Sequence, residues 1–218
     1  MVKTTKTISG GLVVLFEGMD GTGKTTQLQL ANEALSAAGW QVVAVRGHGG
    51  TPIGEALRAV SLSITARPAL TDLHISLAMH AALAEQVIIW RAAGKIILID
   101  RGPLSIPAYQ LYGDGLAPEL VWPAVTSDLA QFNPELRLVY TAAVTTAMDR
   151  ARHKLGGGSD YFESKGQDYF ERINIGYQIV IERFKCTAID CQDTSINEVS
   201  RLTLLAIYRA LDATNSQA

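Results

Sequence analysis

The stretch GMDGTGKT, Gly18 to Thr25, fits the pattern G-x-x-x-x-G-K-[ST] and stands between an apolar run and a helical one. Glycines at such spacing let successive backbone N–H groups turn inward around phosphate oxygens, and the helix that follows adds its positive N-terminal end. Gly18, Gly21 and Gly23 would shape that turn, with Thr26 just inside the helix. Lys24 would reach the β- and γ-phosphates, and the Thr25 hydroxyl would ligate Mg²⁺. The alternative is an ordinary glycine turn, but the strand before it and the helix after it favour a triphosphate cradle. A second run, KIILID, ends in Asp100 and offers a carboxylate as a second magnesium ligand, followed at once by Arg101. Arg46 ends another β-rich run, WQVVAVR. Both arginines fall beyond carboxyl ends of expected strands, the side on which open parallel sheets place ligands.

The elements that would position these groups alternate along the chain. Short β-rich runs (12–17, 40–46, 95–100, 136–141 and 186–190) are separated by segments long enough for crossover helices. Near-continuous apolar composition suits strands covered on both faces. Residues 25–38 read as a helix stopped by Gly39. Residues 71–93 read as another, with Leu73, Leu77, Ala81, Ala84 and Ile88 near one face and Gly94 at its end. Such βα alternation predicts an α/β fold, an open parallel sheet with helices on both sides. No repeat or linker divides the chain, so residues 1–218 read as one domain. The segment 153–167, with three consecutive glycines, is either a plain surface loop or a mobile lid.

Bulk properties narrow the partners. The chain has 218 residues, 48% of them apolar and 18% charged, which suits one globular core. A formal net charge of −2 gives no overall attraction to a nucleic-acid polymer or an anionic membrane. No stretch approaches the ~20 apolar residues of a membrane span, and the polar start is no signal peptide. Cys186 and Cys191 form neither a zinc pattern nor a disulfide framework and fit a reducing compartment, so the cytoplasm is expected.

Three destinations exist for a transferred phosphate: water, a hydroxyl, or the phosphate of a small nucleotide. No Asn-Lys-x-Asp guanine reader occurs, and the chain has no room for motor modules. Cations converging on a second anion, Arg46 and Arg101, favour a phosphorylated acceptor.

Three blocks then carry a resemblance. RGHGGTPIGEALR (46–58), DRGPLSIPAYQLYGDGL (100–116) and RARHKLGGGSDYFE (150–163) resemble, in order and spacing, the corresponding blocks of thymidylate kinases. The resemblance runs from about Leu12 to Asp190. It implies a five-stranded P-loop nucleotide-kinase fold with a short lid, ATP and Mg²⁺ on the donor side, a nucleoside monophosphate acceptor and a homodimer. Carried over by position, Arg46 and Arg101 would hold the acceptor phosphate, and Asp20 would face the acceptor sugar or order magnesium. Ser105, Tyr109 and Gln110 would line the acceptor pocket, and Arg150 and Arg152 would border the donor from the lid.

The departures cluster at the acceptor base. The family's stacking aromatic would fall near Ile75 and its base-edge arginine at Met79, leaving His74 and His80 as the only polar rings of that helix. Gly47 and His48 replace a Glu-Pro pair, Gly102 an aromatic, and Tyr161 and Asn174 two arginines. The acceptor's base therefore stays open. So do two other classes: a deoxynucleoside kinase using Asp100 or Glu17 as base, and a nucleotide-binding regulatory protein without turnover.

Overall fold

Residues 5–63, 67–154 and 165–216 are described by the computed structural model of the chain. Five strands, β1 (Leu12–Glu17), β2 (Val42–Arg46), β3 (Ile96–Asp100), β4 (Leu136–Thr141) and β5 (Thr187–Asp190), form one parallel sheet in the order β2-β3-β1-β4-β5. β1 is central and wholly buried. Its side chains alternate with the strand period of two. Val13 and Leu15 join one core with α3 (Ala69–Ala92) and α4 (Pro118–Phe132), while Leu12, Val14 and Phe16 join another with α1 (Lys24–Ala37) and α7 (Ile196–Asn215). Because both faces are covered, β1 and β3 read as uninterrupted apolar runs.

The edges differ from the expectation of strands covered on both faces. On β2, Ala44 and Arg46 are exposed, and on β5 only Ile189 is buried. Each of these strands pairs on one side only. The face of α3 is also rotated from the predicted one. Leu73 and Ala84 are buried, but Ala81 and Ile88 are exposed, and the inward positions are Ser76, Met79, His80, Leu83 and Val87. An almost continuously apolar helix gives periodicity too little contrast to fix its rotation.

The same helix corrects the expectation that no apolar stretch approaches a membrane span. Ala69–Ala92 is long and apolar enough to cross a bilayer by length and composition alone. Here it packs on β1 and β3 as a core helix.

After β3 the chain forms a π-helical segment, Pro107–Gly113, that packs on α6 (Gln167–Phe184). Together with α5 (Val144–Lys154), these elements bury a third cluster, including Met19, Tyr109, Ala147 and Tyr177, directly under the phosphate turn. α2 (Pro52–Ser63) follows β2 and packs on α3. Most of the predicted lid, 153–167, lies outside the described residues, which include only its two ends.

Candidate active site

The turn from β1 into α1 has the shape its glycines foretell. Gly18, Gly21 and Gly23 all take positive φ, at 134°, 80° and 92°. Close packing adds a second requirement at Gly21: a Cβ there would lie 1.8 Å from the Ala147 carbonyl oxygen of α5. Lys24 is buried, and its Nζ donates to the Met19 carbonyl and the Asp20 carboxylate, each at 3.2 Å. Burial and the neighbouring Arg101 lower its pKa, while Asp20 and Asp100 oppose that shift.

β3 delivers the next pair. Asp100 Oδ2 accepts from the Thr25 hydroxyl at 2.7 Å, and Asp100 Oδ1 is buried without a hydrogen-bond partner among the described residues. Arg101 takes a left-handed backbone, φ 66°, uncommon for a residue with a side chain. Its conformation is braced by neighbours. Arg101 N–H donates to the Phe16 carbonyl, and Gly102 N–H donates to Glu17 Oε1, both at 2.9 Å. Glycine at position 47 lets the β2 loop lie against this turn, since a Cβ there would sit 1.7 Å from the Arg101 carbonyl oxygen.

The Arg101 guanidinium reaches across to Asp20 at 2.7 Å and lies 5.1 Å from the centre of the Tyr109 ring. Desolvation in the cleft disfavours charge on Asp20, whose side chain is still 59% exposed, and Arg101 and Lys24 outweigh it and hold the carboxyl well below the usual range. Burial likewise opposes charge on Arg101, and Asp20 leads the groups that keep it firmly protonated. Asp20 thus joins two cations that would otherwise repel one another.

Asp20, Lys24, Thr25, Asp100, Arg101 and Tyr109 all open onto one cleft of about 800 Å³. Sheet order gives it two ends. β2 and β3, with α2 and α3, lie on one side of β1, and β4, β5, α5 and α7 lie on the other. Arg46 and Arg101 sit toward the first end, while Arg150 and Arg152 of α5 sit toward the second. Thr26, Ser105, Tyr109 and Gln110 also line the cleft, so the sequence-predicted residues are brought together. Gly18 is the exception. It does not line the cleft, and a Cβ there would stand 2.4 Å from the Tyr140 carbonyl oxygen. Arg150 is tied to the β5–α7 loop through the Cys191 and Gln192 carbonyls at 3.0 and 3.2 Å.

Other contacts form only through the fold. The Ser105 hydroxyl donates to Glu17 Oε2 at 2.6 Å and meets the Tyr177 hydroxyl at 3.0 Å, so its proton is engaged inside the protein. Burial pushes the Glu17 pKa up to about 7, against the hydrogen bond from Ser105 and the charge of Arg101. Beyond Arg46, His48 lines the cleft, and its ring meets that of His80 edge-on at 4.8 Å. His80 is a core histidine whose Nδ1 lies 2.6 Å from Asp128 Oδ2. Burial, then His80 and Arg101, lower the His48 pKa well below the ordinary value, so this ring faces the cleft neutral. At the base-reading positions inferred by resemblance, Met79 does line the cleft, but Ser76 rather than Ile75 stands beside it.

A mononucleotide-binding sheet, a phosphate turn at its centre and a second set of cations at the neighbouring strand tip define a P-loop nucleotide kinase. The family model described as Thymidylate kinase matches residues 16–202. The chain is 32% identical over 209 residues to the thymidylate kinase of Anaplasma marginale (strain Florida), covering 92% of this chain and 96% of that one. It is 35% identical over 180 residues to that of Alkalilimnicola ehrlichii, covering 80% and 81%. The crystal structure of thymidylate kinase from Ehrlichia chaffeensis shares the fold, with a TM-score of 0.69 at 22% identity over 93% of this chain and 99% of that one. The chain belongs to the thymidylate kinase family and is a nucleoside monophosphate kinase of that type.

Proposed function

We propose that the chain transfers the γ-phosphoryl group of ATP to the phosphate of a nucleoside monophosphate, with Mg²⁺ at the donor. The observation that carries this reading is the convergence of Lys24 and Arg101 on Asp20, one cation from each side of the reaction. Phosphoryl transfer asks a protein mainly for positioning and fixed positive charge, because little covalent chemistry falls to side chains. Lys24 and the turn N–H groups would hold the donor, with Arg150 and Arg152 at its far end. Arg46 and Arg101 would hold the acceptor phosphate, while Asp20 keeps Lys24 and Arg101 side by side. Ser105 would act from behind, with Tyr177, by steadying Arg101. Tyr109 and Gln110 would bound the acceptor.

Magnesium fits the oxygen pair at Thr25 and Asp100, since a buried carboxylate oxygen without a partner beside a hydroxyl suits a hard cation. Bound there, Mg²⁺ would neutralise charge on the phosphate oxygens.

A sugar hydroxyl as acceptor would need a free carboxylate base. Glu17 already accepts on both oxygens, from Gly102 and Ser105, and the Asp100 oxygen that Thr25 leaves open is the one that suits magnesium, so neither nominated base is left for a hydroxyl. We further propose one domain over residues 1–218, a cytoplasmic enzyme and a homodimer. The outward face of α3, with Ile88 61% and Ile89 57% exposed, supports the last. Release of ADP from Mg-ATP with a mononucleotide panel, absent with nucleosides and lost in Lys24→Ala, tests the activity. Equal turnover of nucleosides would contradict it.

A further inference from the structure

The kinase reading says that a mononucleotide occupies the α2–α3 end of the cleft. We infer that its base carries an exocyclic amino group, read by the carboxylate of Asp72.

The place of that base follows from the sheet. Arg46 and Arg101 end β2 and β3, so a nucleotide whose phosphate rests on them extends toward the helices that follow those strands. There the cleft is walled by Ser61 and Leu62 of α2 and by Asp72, Ser76 and Met79 of α3. The last three recur at i, i+4 and i+7, one stripe of a helix. Arg58, the cleft-lining cation of α2, belongs to the phosphate side. Its charged neighbours are Arg46, Glu55, Arg101 and Asp20, and its guanidinium donates to the His48 carbonyl at 3.1 Å.

Asp72 is the charged group of that wall. Its side chain is only 5% exposed, and Arg67, itself 4% exposed, pairs with it. Arg67 also donates to the Ser61 hydroxyl at 3.1 Å and is not among the residues lining the cleft. The arginine therefore backs the carboxylate and fixes its direction, while the carboxylate is what a ligand meets. His48 on the neighbouring loop faces the cleft neutral, and Met79 offers no polar atom.

Burial raises the Asp72 pKa, and the hydrogen bond and charge of Arg67 oppose that shift; paired with the arginine as a carboxylate, Asp72 only accepts hydrogen bonds. Thymine and uracil present one ring N–H between two carbonyls, so a buried carboxylate gains one bond and meets lone pairs on either side. Guanine presents an amino group beside a ring N–H, two parallel donors for two oxygens. Cytosine and adenine present an amino group that projects beyond the neighbouring ring nitrogen and can donate to a carboxylate oxygen, as when Asp or Glu reads cytosine in nucleic acid. Ser76 can donate or accept and suits any of these edges. The wall therefore selects for the amino group and against the pyrimidine imide.

The full chain with Mg-ATP, assayed by ADP release against dGMP, dCMP, dAMP, dTMP and dUMP, tests this. At least one amino-bearing acceptor should exceed dTMP and dUMP in kcat/KM by roughly tenfold or more. Asp72→Asn, whose amide can donate to a carbonyl, should shift the ratio toward dTMP by a similar factor while the KM for ATP stays unchanged. Calorimetric titration of the unaltered chain with the same mononucleotides should give the same order, and it holds even where the variant folds poorly. dTMP as the best acceptor and tightest ligand would overturn the inference and leave the kinase reading standing. Failure of every mononucleotide would overturn both.

Discussion

Glu17→Gln gives the sharpest test of the buried carboxylate that braces the Arg101 turn. Glu17 is wholly buried, with Oε1 accepting from Gly102 N–H at 2.9 Å and Oε2 from the Ser105 hydroxyl at 2.6 Å. Burial dominates its titration and lifts the pKa from 4.5 to about 7. Between those values the unfolded chain has lost the proton and the folded chain keeps it. The folded state then binds more protons, so stability falls as pH rises through the window and levels off above 7. The gap of about 2.5 pH units between 4.5 and 7, at about 1.36 kcal/mol per unit, amounts to about 3 kcal/mol. Glutamine carries no such proton. Its oxygen can accept from Gly102, and its amide can donate to Ser105, which turns its own proton toward Tyr177. Urea unfolding at pH 5, 6, 7 and 8 should show the variant gaining on the parent by up to about 3 kcal/mol toward pH 7. Parallel pH profiles for the two proteins would refute the buried-carboxylate account.

Arg101→Ala should lower kcat/KM for the acceptor by about a hundredfold or more while the KM for ATP changes little, because a charge-assisted anion contact is lost on one side only. Thr25→Val should raise the Mg²⁺ concentration needed for half-maximal rate in a metal titration, since it removes one of the two oxygen groups at that site. Gly47→Ala should destabilise by about 1–3 kcal/mol in thermal or urea unfolding, because its Cβ would fall 1.7 Å from the Arg101 carbonyl oxygen. Asp128→Ala should cost about 1–3 kcal/mol by the same assays, as it strips the partner from His80, which is fully buried.

The phosphate turn and the strand-end pair Asp100-Arg101 were legible because backbone geometry there demands particular residues close together in sequence. Gly21 and Gly23 could hardly be anything else at their φ values. Groups that meet only through the fold were not legible. Tyr177 reaches Ser105 from 72 residues away, and Asp128 reaches His80 from 48. Asp72 drew no notice in the sequence, where an acid in the first turn of a helix is commonplace, and only its pairing with Arg67 and its position on the cleft wall mark it out. Gly47 looked like a loss relative to the family pattern, yet it is what admits the β2 loop to the back of Arg101. Ser105 was expected to line the acceptor pocket; it lines the cleft, but its hydroxyl is engaged by Glu17.

The central claim is that donor and acceptor phosphates face one another across Lys24, Asp20 and Arg101. Inhibition by two nucleosides joined through five phosphates tests it most directly, since such a molecule must span both ends of the cleft. The account predicts competition against ATP and, in separate experiments, against the mononucleotide, with both effects weakened in Arg101→Ala. Competition against ATP alone, unchanged by that substitution, would contradict it.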